Sequence, residues 1–314
     1  MTGYLIRRLG QSVVVIIGVT LISFTLEHLI PGGIAREILG SRATLAQIAL
    51  WNKQNGFDSP VWYQYWVYLD HLVHGNLGYS YKLNRSVSSI ISNDVPRDLL
   101  LVGTSLVLAV LIAVPIGVMQ AVKRNRAYDY TATSVAFLLY SMPSYALGLI
   151  LISLFAIHFK IFPAEAPQSS TFGGLIAHPT GFILPIITLT LITYALFSRY
   201  MRSSAIDSLA QDYIRTARAK GLSERMVLWR HLLRNSLVPV TTLIGLSLPA
   251  VLTAGLVIEQ LFNFQGLGLE YFSAAITDDF PTMQGITVLV GTATVCGNLL
   301  ADVTYAVLDP RVRY

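Results

Sequence analysis

Few residues of this chain match the patterns of catalytic, metal-binding or phosphate-binding motifs, and these few do not form a catalytic centre. No Gly-x-x-x-x-Gly-Lys-Ser/Thr segment occurs, so the sequence lacks the loop that cradles nucleotide phosphates. The six histidines show no His-Glu-x-x-His spacing, and surface exposure explains His71 and His74 better than metal binding. Cys296 is the only cysteine, which excludes an intrachain disulfide and a cysteine metal cluster. The sequence therefore predicts no catalytic residues, no metal site and no cofactor bound by this chain.

Ionisable residues inside apolar segments are the remaining candidates, because a buried charge is costly there and tends to be functional. Asp302 is the clearest case. Its position near the end of an apolar segment, close to Tyr305 and Arg311, favours a structural ion pair or hydrogen bond. Glu27 and Glu259 stand near the ends of two other segments, where we expect interfacial exposure rather than a place in a vestibule.

The elements that must position these residues are apolar helices. The chain has 314 residues, of which 54% are hydrophobic and 12% are charged, against roughly a quarter charged in soluble domains. A net charge of +5 raises the question of nucleic acid, but the basic residues cluster between apolar runs, where they act as topology signals. The composition predicts an all-α integral membrane protein in contact with lipid and not with nucleic acid.

Six apolar segments are long enough to cross a bilayer, which takes about 20 residues. They are 9–30, 98–121, 131–157, 181–201, 237–258 and 284–307. The chain then divides into a first transmembrane helix (1–30), a sizeable extracytoplasmic loop (31–97) and a five-helix core (98–314). Pro143 and Pro249 are structural or gating candidates, since proline opens a transmembrane helix locally.

Positive charge predicts the orientation of these helices, because short cytoplasmic loops retain Lys and Arg. With the N-terminus inside, the inner segments hold 15 of the 22 Lys and Arg residues, and the outer segment from Glu259 to Met283 holds none. The first apolar run follows Arg7 and Arg8 and is too long for the apolar region of a signal peptide, so we take it as a retained helix. Both termini are predicted to lie in the cytoplasm.

The extracytoplasmic loop is rich in aromatic residues. They are Trp51, Trp62, Tyr63, Tyr65, Trp66 and Tyr68. These side chains could pack a small subdomain or form an interfacial belt, and we expect a mixture of the two.

The inner loop between the fourth and fifth apolar runs, residues 203–236, carries the strongest local signals. Ser208 and Gln211 fit a capping box, which would begin a helix there. That helix should end at Gly221, because glycine readily takes the left-handed conformation that closes a helix. The loop is predicted to form two short helices joined at a sharp bend.

The second helix of this loop is predicted to begin at the cap residue Ser223 and to run to Arg234. In the first helix, Ala217 and Ala219 have little side-chain bulk, so a cleft on another protein could approach closely. The alternative is an amphipathic hairpin that lies on lipid headgroups. Physical reasoning on the residues leaves these two alternatives equal.

The motifs of this loop resemble those of a known family. Thr216-Ala217-x-x-x-Gly221, followed by Arg230-His231-x-x-Arg234-Asn235-x-x-x-Pro239, resembles the EAA loop of binding-protein-dependent ABC importer permeases. The version is that of the dipeptide/oligopeptide/nickel subfamily. Arg215 and Thr216 replace the family's glutamate and first alanine, a departure common in that subfamily.

Other stretches agree with the first permease of the peptide importer pair across nearly the whole chain. They are Leu5-Ile-Arg-Arg8, Pro31-Gly32, Gly56-Phe-Asp-x-Pro60 with Gln64-Tyr65, Gly75-Asn-Leu-Gly-x-Ser80, Ser141-Met-Pro143, Gly266-Leu-Gly268 with Ala275-Ile276, Asp279-Phe-Pro281, Asp302-Val-x-Tyr305 and Asp309-Pro-Arg-Val-Arg313. The sequence departs from the family at Gly33, where Asp is usual, and at Arg97 and Asp98, where Thr-Leu is usual. Gln265 replaces a proline.

The resemblance implies a heteromeric importer in a bacterial plasma membrane. A second permease would complete a path for peptides or a similar small solute, two cytoplasmic ABC ATPases would bind ATP and Mg, and an extracytoplasmic substrate-binding protein would deliver the cargo. The resemblance also implies that part of the inner loop enters a cleft of an ATPase subunit. The residues concerned are Asp212, Tyr213, Arg215, Thr216, Ala217, Ala219, Lys220 and Gly221.

Two other functional classes are alternatives to this interpretation. An ion-coupled secondary transporter needs ionisable groups near the middle of the membrane and usually shows inverted repeats. A membrane-embedded enzyme needs a catalytic constellation at membrane depth. Neither pattern is evident in the sequence.

Overall fold

The computed structural model describes residues 2–28, 33–40, 42–169, 172–251 and 255–308. Within these ranges the regular secondary structure is helical apart from one antiparallel pair of short strands, β1 (Tyr79–Ser80) and β2 (Arg85–Ser86). The helices are α1 (Thr2–His28), α2 (Gly33–Leu39), α3 (Leu45–Gln54), α4 (Val61–Val73), α5 (Val87–Asp98), α6 (Thr104–Val122), α7 (Ala127–Ser141), α8 (Ser144–Leu151), α9 (Phe172–Ile176), α10 (Thr180–Leu209), α11 (Asp212–Ala219), α12 (Glu224–Met226), α13 (Leu233–Ser236), α14 (Val238–Val251), α15 (Leu256–Leu261), α16 (Leu267–Ile276) and α17 (Phe280–Leu308). π-Helical segments join α5 to α6 (Leu99–Gly103), extend α8 (Ile152–His158) and join α12 to α13 (Val227–Leu232).

Four helical stretches of the described residues are long and apolar enough to cross a membrane. They are Arg7–Thr25, Val87–Val122, Thr180–Leu209 and Phe280–Leu300. A fifth span results if the bent pair Ala127–Ser141 and Ser144–His158 counts as one. In place of the predicted span 237–258, the described part of α14 offers a shorter apolar stretch, Val238–Ser247. The predicted class, an all-α integral membrane protein, is confirmed.

The third predicted span, 131–157, is not one straight helix. α7 ends at Ser141, α8 begins at Ser144, and the two helices are bent by 106°. Pro143 precedes the first residue of α8, where its missing N–H breaks no helical hydrogen bond. Because the residue before a proline avoids helical backbone, Met142 is extended, with ψ at 130°. The proline therefore turns the chain instead of opening a continuous helix.

α10 is the central helix of the described structure, and α6 lies along it. Small residues are fully buried in this part of the core: Ala109, Ala113, Ala195 and Ala205. A Cβ placed on Gly117 of α6 would lie 2.7 Å from Met201 Cβ of α10. Such close approach supplies dispersion contacts between the helices. These contacts hold membrane helices together, because the surrounding lipid is itself apolar and the hydrophobic effect gives no driving force there. The pair α6 and α10 thus forms a tightly packed scaffold.

The loop after α1 folds into a small helical subdomain that packs on α1. The ring of Tyr65 in α4 lies 5.2 Å from that of Phe24, and its hydroxyl lies 3.0 Å from Thr20 Oγ1. Trp62 and Trp66 are instead 73% and 68% exposed. The aromatic residues therefore combine packed and exposed positions, and the interfacial belt stays a prediction.

Candidate functional site

The inner loop, residues 203–236, contains two helical arms joined by a bend, which we call the hairpin. Its first residues belong to α10, which continues to Leu209, and α11 begins at Asp212. The predicted capping box is therefore wrong, because Ser208 is buried in the last turn of α10 and Gln211 makes no side-chain cap bond. Packing of the buried face of α10 extends this helix past a local start signal, since tertiary contacts override weak local preferences.

α11 ends in the left-handed glycine that the sequence predicts. Gly221 has φ +72°, its N–H donates to Arg218 O at 2.9 Å, and the N–H of Leu222 donates to Ala217 O at 3.4 Å. This pair of bonds is the Schellman pattern, which satisfies the last carbonyl groups of a helix. A Cβ on Gly221 would meet no atom within 4 Å, so backbone conformation and not crowding requires glycine here.

Ser223 begins the second arm, as predicted, and its Oγ accepts a hydrogen bond from Met226 N at 3.4 Å. A salt bridge that sequence reasoning missed joins the arms. Arg218 Nε lies 2.8 Å from Glu224 Oε1, and Arg218 Nη2 lies 3.2 Å from Glu224 Oε2. Both side chains are exposed to solvent, so this bridge contributes at most about 0.5 kcal/mol to stability.

The apolar side of the hairpin is buried inside the chain. Ile214, Val227 and Leu232 are fully buried and belong to one cluster with Met201 of α10. Ala217, expected among the residues that a partner contacts, is 4% exposed and packs into the same cluster. The hairpin is therefore anchored to the core through its apolar side.

The other predicted coupling residues remain accessible to a partner. They are Asp212, Tyr213, Arg215, Thr216, Ala219, Lys220 and Gly221, all of them exposed, and we call them the α11 face. Charges of both signs occur on this face, and Arg215 Nη1 lies 3.4 Å from Asp212 Oδ1. The α11 face is thus polar and backed by a packed apolar layer.

An ion pair between a buried acid and a half-buried arginine joins the helix that carries the hairpin to α7. Arg202 donates from Nε to Asp129 Oδ1 at 2.6 Å and from Nη2 to Asp129 Oδ2 at 2.7 Å. The N–H of Asn125 also donates to Asp129 Oδ2, at 3.1 Å, so the turn between α6 and α7 is tied to α10. Sequence reasoning treated Arg202 only as a topology signal, because its partner lies 73 residues away.

A second polar network lies at the other end of α6. Arg97 donates from Nη1 to Gln265 O at 3.2 Å and to Gln265 Oε1 at 3.3 Å, and from Nη2 to Ser169 O at 3.1 Å. Its guanidinium also lies 3.4 Å from Asp94 Oδ1. Arg97 is 3% exposed, so these contacts satisfy a buried charge that would otherwise be costly.

Asp98 and Glu259 meet at the first turn of α16. Asp98 Oδ2 accepts a hydrogen bond from Leu267 N at 3.1 Å, and Glu259 Oε2 accepts one from Leu269 N at 2.8 Å. These amides have no partner within their helix and carry the positive end of its dipole, so carboxyl oxygens satisfy them. Glu259 is 1% exposed, so its expected interfacial exposure is wrong. The chain folds back after α15 and encloses this side chain, which its sequence position alone does not indicate.

We call the residues at this end of α6 the outer cluster, after the side on which the predicted topology puts them: Asp94, Arg97, Asp98, Glu259 and Gln265. Three of its members, Arg97, Asp98 and Gln265, are positions at which the sequence departs from the family pattern. The structure thus brings together substitutions that are about 168 residues apart in the chain. Sequence reasoning noted each one and did not connect them.

Asp279 forms a third polar contact, between the β-strand pair and the turn before α17. Its Oδ2 accepts hydrogen bonds from Ser80 Oγ at 2.5 Å and Thr282 Oγ1 at 2.8 Å. Ser80 and Asp279 belong to two of the stretches that resemble the peptide importer permeases. Their meeting fixes the subdomain against α17.

The remaining candidates are only partly described. Pro143 lies at the bend between α7 and α8. Pro249 and Asp302 lie in α14 and α17, with side chains outside the described residues, so the expected ion pair of Asp302 stays a prediction. Among the residues that the structure describes, no group of three or more His, Cys, Asp and Glu side chains could hold a metal ion.

Comparisons with known proteins agree with this architecture. The family of binding-protein-dependent transport system inner membrane components matches residues 113–314, and its N-terminal counterpart matches residues 1–102. The oligopeptide transport system permease protein AppB of Bacillus subtilis (strain 168) is 35% identical over the full length of both chains. The glutathione transport system permease protein GsiC of Salmonella choleraesuis (strain SC-B67) is also 35% identical over the full length of both.

Among solved structures, the fold is similar to that of the methionine ABC transporter MetNI in inward-facing conformations. The TM-score is 0.56 at 16% identity, and the match covers 70% of this chain and 96% of that chain. The protein is therefore a multi-pass component of a bacterial plasma membrane and the permease subunit of an ABC importer, and it belongs to the family of binding-protein-dependent transport system inner membrane components.

Proposed function

We propose that this permease moves peptides, or a similar small solute, through a path that it forms with a second permease. Two cytoplasmic ATPases bind ATP and Mg and drive the movement, and an extracytoplasmic binding protein delivers the cargo. This chain holds no cofactor and catalyses no reaction. The names of the full-length relatives, which refer to oligopeptide and glutathione transport, support this cargo class.

The proposed topology has six spans with both termini in the cytoplasm. The bent pair α7 and α8 with its π-helical extension counts as the third span, and α14 with α15 forms the fifth. The placement of 15 of 22 Lys and Arg residues on one side supports this topology. It puts the hairpin inside the cell and the aromatic subdomain outside.

The α11 face is the proposed contact with an ATPase subunit. The observation that carries this proposal is the division of the hairpin into a buried apolar side and an exposed polar side. An amphipathic hairpin on lipid headgroups would turn its apolar side toward the acyl chains. Here Ile214, Val227 and Leu232 are buried against the chain's own helices instead, which leaves a polar face for a protein partner.

Coupling then follows from the way the hairpin is attached. A push on the α11 face acts on Ile214 and Ala217, which pack in one cluster with Met201 and Ala205 of α10. Closure of the ATPase pair on ATP binding would move both hairpins of the permease pair together. The path between the permeases would open outward, and hydrolysis would reset it.

Reconstitution tests the function as a whole. Liposomes that contain this chain, the second permease and both ATPases should take up labelled dialanine only when ATP and the binding protein are supplied. Uptake by this chain without an ATPase partner would contradict the proposal and favour a secondary transporter. Hydrolysis of the peptide by the chain alone would favour a membrane-embedded enzyme.

Single-cysteine labelling tests the topology. In a Cys296→Ser background, Lys220→Cys and Asp58→Cys place one thiol on the α11 face and one in the subdomain, both at exposed positions. A membrane-impermeant maleimide should label position 58 in intact cells, and position 220 only after the cells are opened. Labelling of position 220 from outside would overturn the proposed orientation.

A further inference from the structure

Two acidic side chains of the outer cluster converge on one point. Asp98 is 0% exposed and Glu259 is 1% exposed. A Cβ built on Gly266 would lie 2.7 Å from Glu259 Oε2 and would clash with Asp98 Oδ1. The two carboxyl oxygens therefore border the same methyl-sized space.

One of these oxygens lacks a donor. Asp98 Oδ2 is bonded to the N–H of Leu267, but Asp98 Oδ1 is buried with no hydrogen-bond partner among the described residues. A buried, unpaired carboxylate oxygen is destabilising. Glu259 Oε2, which borders the same space, already accepts from Leu269 N and is an acceptor too, so the two oxygens can bond to each other only if one of them carries a proton.

The charges around the pair do not balance if both carboxyl groups are ionised. Asp94, Asp98 and Glu259 would carry three negative charges, against one positive charge on Arg97, and all four side chains are buried. The positive end of the α16 dipole amounts to roughly half a charge. Two carboxylates held this close in a buried site cannot both ionise without a large penalty, and one shared proton removes it.

We propose that Asp98 and Glu259 form a proton-binding site, in which one proton from bulk water sits on Asp98 Oδ1 and is donated to Glu259 Oε2. The proton completes the hydrogen bonding of the pair. It also holds the end of α5, α15 and the first turn of α16 together, because its loss leaves two adjacent negative charges. The site is thus a proton-dependent latch at the outer end of the permease.

Other charged groups near the pair do not replace the proton. Arg97 is directed to Gln265, Ser169 and Asp94, and Arg85 lines the adjoining cavity of about 410 Å³ with Glu270. Burial raises the pKa of the Glu270 carboxyl, and the neighbouring Asp94 raises it further. Glu270 is itself an acid whose raised pKa favours the neutral form, so it supplies no positive charge that could replace the proton.

Infrared difference spectroscopy tests the site directly. The full-length chain is purified in detergent with its co-purifying subunits, and the spectrum of each variant near neutral pH is subtracted from that of the wild type. The wild type should show the carbonyl stretch of a protonated carboxyl group, shifted in D₂O, and Asp98→Asn and Glu259→Gln should each remove it. The control Asp70→Asn changes an exposed acid and should leave the band unchanged.

Thermal unfolding gives an independent measurement. Unfolded Asp and Glu release their protons near pH 4, so a proton that the folded pair still holds makes stability fall as the pH rises from about 4 to the pH at which the pair itself releases the proton. The wild type should lose a few degrees of melting temperature, whereas Asp98→Asn should not, because asparagine can accept from Leu267 N and donate to Glu259 without a titrating proton.

A wild type with no protonated carboxyl band in the infrared spectrum at neutral pH, or a band that survives both substitutions, would overturn the proposal. Neither measurement depends on the cargo or the ATPase partner.

Discussion

The hairpin and the outer cluster, at opposite ends of α6, both depend on charged residues but use them differently. The ions of the hairpin are exposed, as in the Arg218–Glu224 bridge, whose side chains are 46% and 62% accessible. Those of the outer cluster are buried, and Asp98 and Glu259 are bonded to backbone amides of α16. Water screens an exposed pair and makes it weak, whereas a buried group without its partner is strongly destabilising. Substitutions should therefore affect function at the hairpin and folding at the outer cluster.

The largest expected effect is in the outer cluster. Gly266→Ala inserts a methyl group into the space between Asp98 Oδ1 and Glu259 Oε2, and the bonds of both side chains to α16 amides limit their relaxation. Such overpacking should destabilise the fold by about 3 kcal/mol, measured as a lower melting temperature and less protein in the membrane. Gly173→Ala is the matched control, because a Cβ there meets no atom within 4 Å. Equal stability of the two variants would show that the carboxyl pair does not border Gly266.

The ion pair between Asp129 and Arg202 should give the next largest effect. Asp129→Ala leaves the guanidinium of Arg202 without its bidentate partner and the N–H of Asn125 without its acceptor. Because Arg202 is 29% exposed and water can partly solvate it, we expect a loss of about 2 kcal/mol rather than the larger values of fully buried pairs. Chemical or thermal unfolding in detergent measures this loss. Asp212→Ala, which removes an exposed acid of the hairpin, is the control and should change stability little.

Gly221→Val should separate function from folding. Valine at φ +72° costs about 1–2 kcal/mol and should distort the bend of the hairpin. The variant should still insert into the membrane, and its ATPase partners should still hydrolyse ATP. Peptide uptake should fall, so the ratio of peptide transported to ATP hydrolysed falls. Gly221→Asn is the control, since asparagine tolerates the left-handed conformation and should retain coupling. Unchanged coupling in the valine variant would argue against contact of the α11 face with an ATPase.

The smallest expected effect concerns the exposed bridge of the hairpin. Arg218→Ala should lower stability by at most about 0.5 kcal/mol, and added salt should remove the difference. A double-mutant cycle with Glu224→Ala measures the coupling between the two side chains. A coupling energy as large as the loss in Asp129→Ala would erase the contrast between exposed and buried charges.

Local signals in the sequence predict the hairpin better than the outer cluster. Gly221 and Ser223 act through backbone groups within a few residues, so their roles follow from residue type alone. The capping box at Ser208 fails because burial of α10 outweighs a cap. Ala217 points inward for a related reason. The elements that pack against a short helix decide which of its faces is buried.

The sequence by itself determined the membrane class, the main apolar helices, the family and the two residues that shape the bend of the hairpin. These properties depend on composition, on runs of apolar residues and on backbone preferences, all of which act over short stretches of chain. Only the tertiary structure decided which buried charges meet: Asp98 with the start of α16, Arg97 with Gln265, and Asp129 with Arg202. A buried charge requires a partner, but helix packing selects that partner among residues far apart in the sequence, so no local pattern identifies it.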